Sequence, residues 1–456
     1  MKKILLVLLL IIELTSCRKQ DEWLNKKSNK SDIIPTTIGD FQTILNNDIL
    51  MNASMGFVTL GSDNYFIQYS TYQSLSQDNR EGYIWSKNIS ILPTSGWQPN
   101  YQRINNANIV LDGLSSIQKN SQNERQWNEL KGVALFFRAF AYFDLAEAFA
   151  KEYDKQTARE DLGLPLKLKV NVAEKVTRAS VQRTYEQIVS DLNESKNLLP
   201  VNAVHKTQPS KTAASALLAR VYLAMESYDL AFSEANIALN VVSTLVNYND
   251  LNASSALPFP AFPQNNAEMI FYCAPSLLVP LLNSNLRVEP SLYSSYETGD
   301  LRKAVLYQNN GVNGIAFKGY YTGKSNTYFA GLATNELYFI RAEAGVRTGK
   351  LPSALEDLNA VLVKRWDKNV SYIPYNTVDE SQALRKILQE RRKELPFTAN
   401  LRWSDLRRLN KDTRFAITLS RNLNGEIYTL PPNDKRYVLP IPDIEIQLSG
   451  IQQNER

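Results

Sequence analysis

The sequence predicts a mainly α-helical fold, in which a scaffold of paired helices carries a loop-rich, aromatic face with short strands. Three observations predict it. Apolar residues recur three or four apart over much of 97–240 and again in 335–395, as one face of a helix requires. Small residues return at fixed offsets in two of those helical blocks. The intervening stretches, 56–97 and 241–332, are rich in Tyr, Phe, Asn, Ser, Gly and Pro and lack long periodic runs, which reads as loops with short strands.

The chain opens with Lys2 and Lys3, an apolar run from Ile4 to Ile12, and then Leu14-Thr15-Ser16-Cys17. The apolar run is far shorter than the ~20 residues a membrane span needs, so it reads as a secretion signal. Small residues leading into a cysteine make it a signal of the lipoprotein type, residues 1–16, with Cys17 as the lipidated first mature residue. Residues 17–35 then form a polar tether, with Lys, Ser, Asn and Asp dominating from Asn25 to Asp32. The folded domain is expected over 36–456.

The first long helix carries Leu130, Ala134, Phe137, Ala141, Leu145 and Ala148 on one face. Phe136, Phe140, Tyr142 and Phe143 widen that face, so burial on more than one side is expected. A second helix starts after Ser180 and stops before Pro200, a third begins near Thr212, and a fourth runs from Tyr228 to Leu239. Leu218, Ala219, Tyr222, Ala231 and Ala238 match the tetratricopeptide spacing, in which small residues let two antiparallel helices approach closely. A thinner copy lies in Asn335 to Lys364, at Ala342, Ala354 and Leu358, with Arg341 and Gly345 in place of the leucine and tyrosine. The helix around Ala139 and Tyr142 offers a third copy, separated from its partner helix by an insertion. A charged helix follows at Ser381–Leu395, and Tyr437 to Pro442 reads as an extended prolyl segment.

Composition excludes several chemistries. The chain has one histidine, His205, and two cysteines, Cys17 and Cys273. A Ser-His-Asp triad, a Cys-His pair and a multi-histidine metal site therefore have no residues to draw on, and no cofactor is implied. With Cys17 lipidated, Cys273 has no disulfide partner, and its apolar run Met269–Ala274 reads as a core strand. A net charge of +5 without a basic stripe does not suit nucleic acid. Carboxylate-only catalysis survives these exclusions. Glu390, Arg391 and Glu394 are better explained as ion pairs within one helix, and Asp405 as a structural partner of nearby arginines.

Several blocks, in order, resemble the SusD/RagB family of Bacteroidetes nutrient-uptake lipoproteins: Trp97-x-x-x-Tyr101-x-x-Ile104-Asn105-x-x-Asn108, Ala134 to Leu145 with Gly163-Leu164-Pro165-Leu166, and Ala213 to Leu223. Glu336 to Ala344 follows, then Glu390-Arg391-Arg392-Lys393-Glu394-Leu395 with Arg402 to Arg408, and finally Leu439-Pro440-Ile441-Pro442. Arg18 to Glu22 is similar to the runs that sort such lipoproteins to the cell surface. Where the family usually has a Glu-Gly pair before Arg402, this chain reads Phe397-Thr398-Ala399-Asn400.

The resemblance implies a non-enzymatic, surface-exposed outer-membrane lipoprotein. It would capture an oligosaccharide and deliver it as a lid to a TonB-dependent, SusC-like transporter. The same architecture binding peptides, or a tetratricopeptide-like adaptor without a small ligand, are the alternatives. Trp97 and Asn100 are similar in spacing to a glycan-binding pair of the starch-binding branch, and equally fit a helix-entry core tryptophan with a turn asparagine. Arg80 resembles a binding arginine of that branch or is a solvated surface residue. Tyr293, Tyr296, Tyr320 and Tyr321 fall where the family places its second wall, though each alone fits packing as well. Flat rings suit sugars because a pyranose stacks its apolar face on them while amides and guanidinium groups take the hydroxyls.

Overall fold

Helices α1 (Ile38–Leu45), α2 (Trp97–Ser115), α3 (Glu124–Phe149), α4 (Val181–Leu198), α5 (Lys211–Ala224), α6 (Tyr228–Leu239), α7 (Thr334–Arg347) and α8 (Leu351–Arg365) build the scaffold. From α2 onward each packs on the next, α9 (Glu380–Glu394) lies against α7, and α1 lies on α2. The structure, a computed structural model, describes residues 35–171, 175–263, 266–398 and 400–456. The signal segment, Cys17 and almost all of the polar tether lie outside the described residues. No helix among the described residues is long and apolar enough to cross a membrane.

The pairs α3–α4, α5–α6 and α7–α8 realise the three repeats read from the sequence. Ala219, Ala231, Ala238, Ala342 and Ala354 are all fully buried between helices. At Gly345, where the repeat pattern has tyrosine, an added Cβ would lie only 3.3 Å from the Ala354 Cβ, so the smallest residue allows the closest approach. Helix starts follow local chemistry. The Ser180 hydroxyl accepts from the Arg183 N–H, and the Ser210 hydroxyl from the Ala213 N–H.

Helix α3 is the central pillar. Every residue from Ala134 to Phe149 is buried, including three charged ones, and each of those has a partner. Arg138 forms two 2.7 Å bonds to Asp191, Asp144 pairs with Arg103 at 3.0 Å, and Glu147 accepts the Tyr185 hydroxyl at 2.8 Å. The prolyl segment closes over the end of this pillar, where the Leu439 N–H donates to the Ala148 carbonyl at 2.8 Å.

The loop-rich parts contain more regular structure than their texture suggests. Alongside two-residue strands such as Tyr65–Phe66, paired with Arg287–Val288, they hold the short helices Tyr69–Ser74, Gln77–Tyr83, Pro290–Ser294 and Arg302–Leu306. A helix of one or two turns leaves too few residues for a periodic signal. These segments close over a second core rich in tyrosine, including Tyr65, Tyr83, Tyr296, Tyr307, Tyr320 and Tyr328 with Phe317 and Phe397. Tyrosine serves here because its hydroxyl meets the carbonyls that irregular backbone leaves free: Tyr65 donates to Leu60 at 3.1 Å and Tyr328 to Leu281 at 2.6 Å.

Phe397, at the departure from the family pattern, enters this core 4.5 Å from the Phe317 ring. Cys273 is fully buried, and burial pushes its thiol far above the ordinary value, as suits a core residue.

The charged helix α9 differs in detail from its expected pattern. Glu390 does pair within the helix, with Lys386 and Lys393, both at 2.9 Å. Arg391 and Glu394 instead reach other segments, Arg391 to Asp405 at 2.9 Å and Glu394 to Arg365 at 2.7 Å. All three are buried, and for Arg391 and Glu394 tertiary partners at short range replace helical neighbours.

Candidate ligand-binding face

The exposed aromatic surface of the loop-rich side is built on a ladder of stacked groups. At its base the Arg421 guanidinium lies 3.5 Å over the Tyr83 ring, with Trp85 and Tyr65 at 4.7 and 5.3 Å. Tyr72 packs on Tyr83 with ring centroids 6.1 Å apart. Tyr69 lies beyond, 6.3 Å from Tyr72 and inclined by only 19°, and is 40% exposed. Spacing three apart on the helix Tyr69–Ser74 puts both rings on one side. The ladder therefore delivers two nearly parallel rings from core to solvent.

Polar groups surround them. Arg80, on the helix Gln77–Tyr83, is half-buried and donates to the Gln73 carbonyl at 3.2 Å. Burial raises the Tyr72 hydroxyl above its ordinary value; Arg80 opposes this, and Glu426 and Glu81 add to it. Tyr428 joins from the hairpin Leu419–Leu423/Glu426–Leu430. Its hydroxyl is pushed up to about 12, chiefly by the Glu426 carboxylate. Rings with a guanidinium close by supply both stacking surface and hydrogen-bond donors for a polyhydroxylated ligand.

Of the residues singled out in the sequence, Arg80 alone belongs to this patch. Trp97 is 3% exposed and packs on Tyr101 at 4.9 Å and edge-on to Phe149 at 5.0 Å. Asn100 is buried too. Its amide donates to the Gly96 carbonyl at 2.7 Å while its oxygen accepts from Arg103. Tyr296 and Tyr320 lie in the second core, the former donating to the Lys393 carbonyl at 2.7 Å. The Tyr321 hydroxyl donates to Glu268, whose carboxylate also accepts from Arg365 at 2.7 Å. Tyr293 is half-buried, with the Lys303 ammonium 4.7 Å over its ring.

Tyr69 and Tyr72 stood among the aromatics of the loop-rich sequence without distinction. Tyr428 and Glu426 had a signal that went unread: Asn424-Gly425 between alternating residues is a hairpin turn. Both take positive φ, 54° and 92°, as the type I′ turn needs.

A separate groove of about 970 Å³ runs beside α2, whose Gln98, Gln102, Asn105 and Asn106 line one wall. Opposite stand Ile444 and Leu448 of a C-terminal helix, 47% and 78% exposed. Trp97, 3% exposed, also lines it.

Comparison with known proteins agrees with this architecture. A family profile described as "Starch-binding associating with outer membrane" matches residues 22–223, and one described as "SusD family" matches residues 306–455. SusD-like protein P2 of Formosa agariphila is 26% identical over 174 residues, 36% of this chain, and the match spans about a third (32%) of that relative's length.

Among solved structures, SusD superfamily proteins of Bacteroides vulgatus and Bacteroides thetaiotaomicron each superpose with a TM-score of 0.73. They are 23% and 21% identical, and each comparison covers 92% of this chain and 99% or 100% of the other. A laminarin-binding SusD-like protein superposes with a TM-score of 0.67 at 18% identity, over 92% of this chain and 99% of its own. With one profile on the first helical half, the other on the C-terminal third, and a scaffold shared almost end to end, this chain belongs to the SusD/RagB family.

Proposed function

We propose that this chain binds an oligosaccharide on its aromatic face and delivers it, as a lid, to a TonB-dependent outer-membrane transporter of the SusC kind. The observation that carries the reading is the exposed Tyr69 ring, nearly parallel to the half-buried Tyr72 ring 6.3 Å away, with Arg80 bonded to the same helix at Gln73. An exposed ring backed by a second ring offers a flat apolar surface on which a sugar can stack. The laminarin-binding relative shares the scaffold and supports a glycan as the ligand. The outer-membrane description of the matching family supports the location, with Cys17 as the proposed lipid attachment.

Binding without turnover fits the carboxylates. Glu390, Glu394 and Asp405 are buried and held in ion pairs, out of reach of a glycosidic bond. Isothermal titration with laminarihexaose and maltohexaose tests the reading: Tyr72→Ala should weaken binding at least about tenfold, the loss of one to two kcal/mol expected for a stacked ring. Equal affinity of parent and variant would sink it. Co-purification with a large β-barrel protein tests the partner.

One observation favours a second reading. The groove beside α2 sets four side-chain amides against exposed aliphatic residues, and the Trp97 ring in its lining is buried. That chemistry suits an extended peptide, so binding of peptides alone, sensitive to Leu448→Asp and indifferent to Tyr72→Ala, would replace the sugar reading.

A further inference from the structure

We propose that the end of the domain nearest the lipid anchor carries a membrane-contact surface, in which Ile49, Val201 and Val204 rest on the lipid bilayer. This rests on the reading of Cys17 as the lipidated residue and adds a second attachment to it. Ile49 is 94% exposed and Val204 87%, and Val201 is exposed as well. They sit on two loops that are fastened together. The Asn52 side-chain amide donates to the Thr207 carbonyl at 2.9 Å and to the Tyr272 carbonyl at 2.8 Å. The Tyr272 N–H in turn donates to the Lys206 carbonyl at 2.7 Å. The one-turn helix Asp48–Met51 buries Met51 completely, which turns Ile49, two positions earlier, outward. Between the loops lies a hollow of about 270 Å³, lined by buried Leu45, Leu130, Phe137 and Leu199 and by exposed Val204. Single exposed aliphatic residues are ordinary, but three on joined loops beside an apolar hollow mark a contact surface.

Position decides the occupant. The described chain enters at Pro35, and α1 begins three residues later. Gln42 and Leu45, near the end of α1, line the hollow. A helix of eight residues is about 12 Å long, so the hollow lies within about 15 Å of the point where the tether joins the domain. The stretch from Cys17 to Pro35 spans at most about 60 Å of chain. Charges on and between the loops balance, with Arg125 and Lys206 against Asp48 and Glu129, so apolar area rather than charge drives the contact. Burying one aliphatic side chain shifts an equilibrium about tenfold, too little for two or three residues to recruit a free domain. An anchored domain meets the bilayer at about millimolar effective concentration, and the same residues then suffice to hold this end against it.

The test reconstitutes the full lipidated protein into phosphatidylcholine vesicles, with and without bromine on the lipid acyl chains. A polarity-sensitive fluorophore is attached at Val204→Cys or, as a control, at Val378→Cys. Val378 is as exposed as Ile49 but precedes α9, at the other end of the helical array from α1. Cys273 is fully buried, out of reach of the label. Brominated lipid should quench the label at Val204 at least about threefold more than the label at Val378, with no dependence on added salt. Adding Ile49→Asp should cut the quenching at Val204 by about half or more. Equal quenching at the two positions, in protein that floats with the vesicles, would overturn the contact and leave the anchor standing. A blue shift at Val204 that needs no vesicles and grows with protein concentration would replace the bilayer by a second copy of this chain. If mass spectrometry finds no acyl chain on Cys17 and no protein floats, the anchor reading falls and this inference falls with it.

Discussion

Arg421 shows how one residue sets the geometry of the candidate face. It is 7% exposed and makes no ion pair among the described residues, yet backbone carbonyls and aromatic rings hold its guanidinium. It donates to the carbonyls of Leu60 and Ser62, both at 2.8 Å, and of Tyr83, while three aromatic rings cover its faces. Peptide dipoles and ring quadrupoles replace a counter-ion, which only a planar fork can exploit at once. Arg421→Lys should therefore destabilise the fold by about 2–3 kcal/mol, since an ammonium cannot span the same carbonyls and stack. Urea denaturation checks this, and an unchanged midpoint would refute it. Tyr428 stands directly opposite Arg421 in the hairpin, so the same contact anchors a ring of the candidate face. None of this was legible from the residue types, because an isolated arginine in a polar stretch is normally solvated and its partners lie more than three hundred positions away.

At the scale of elements, boundaries were legible where the information is local. Ser180 and Ser210 cap their helices, and the start and end of α6 match the sequence reading because each depends on residues within one turn. Helix α1 was missed although Thr37 and Asp40 form a reciprocal capping box, with the Asp40 N–H donating to Thr37 at 3.2 Å and the Thr37 N–H to Asp40 at 2.9 Å. Its contact with α2 runs through Gly113, where an added Cβ would lie 2.0 Å from the Phe41 ring. Alanine is the better helix former by about 1 kcal/mol, whereas forcing a side chain into a packed contact costs about 1–3 kcal/mol. The steric cost wins, and Gly113→Ala should lower the urea midpoint. A raised midpoint would mean that α1 yields without loss. The short helices and the hairpin at Asn424-Gly425 were not read at all, since elements of five to seven residues carry turn chemistry but almost no period.

Across the whole molecule, buried ion pairs join segments far apart in the chain. Arg402 holds Asp63 at 2.6 and 2.7 Å, with Arg392 adding a contact at 3.1 Å. Burial alone would raise the Asp63 carboxyl, but the two guanidinium groups outweigh it and hold it well below the usual carboxylate range. Because the folded value lies below the unfolded value of about 4, the pair stabilises the fold at every pH above that. Its contribution is lost as pH falls below about 4 toward the folded value. Asp63→Asn should thus cost about 3 kcal/mol between pH 5 and 8, and the difference from the parent should shrink below pH 4. Urea titrations across that range check both size and sign, and a difference that persists undiminished at low pH would exclude the charge as its source.

The sequence by itself determined the helical scaffold, its repeats and the family, because helical period, caps and small-residue spacing are properties of neighbouring positions. Only the tertiary structure decided which aromatics face solvent. Tyr296 and Tyr320 are buried while Tyr69 is exposed with Tyr72 half-buried beneath it, since burial of a ring in irregular chain depends on what folds over it, and that comes from segments distant in sequence.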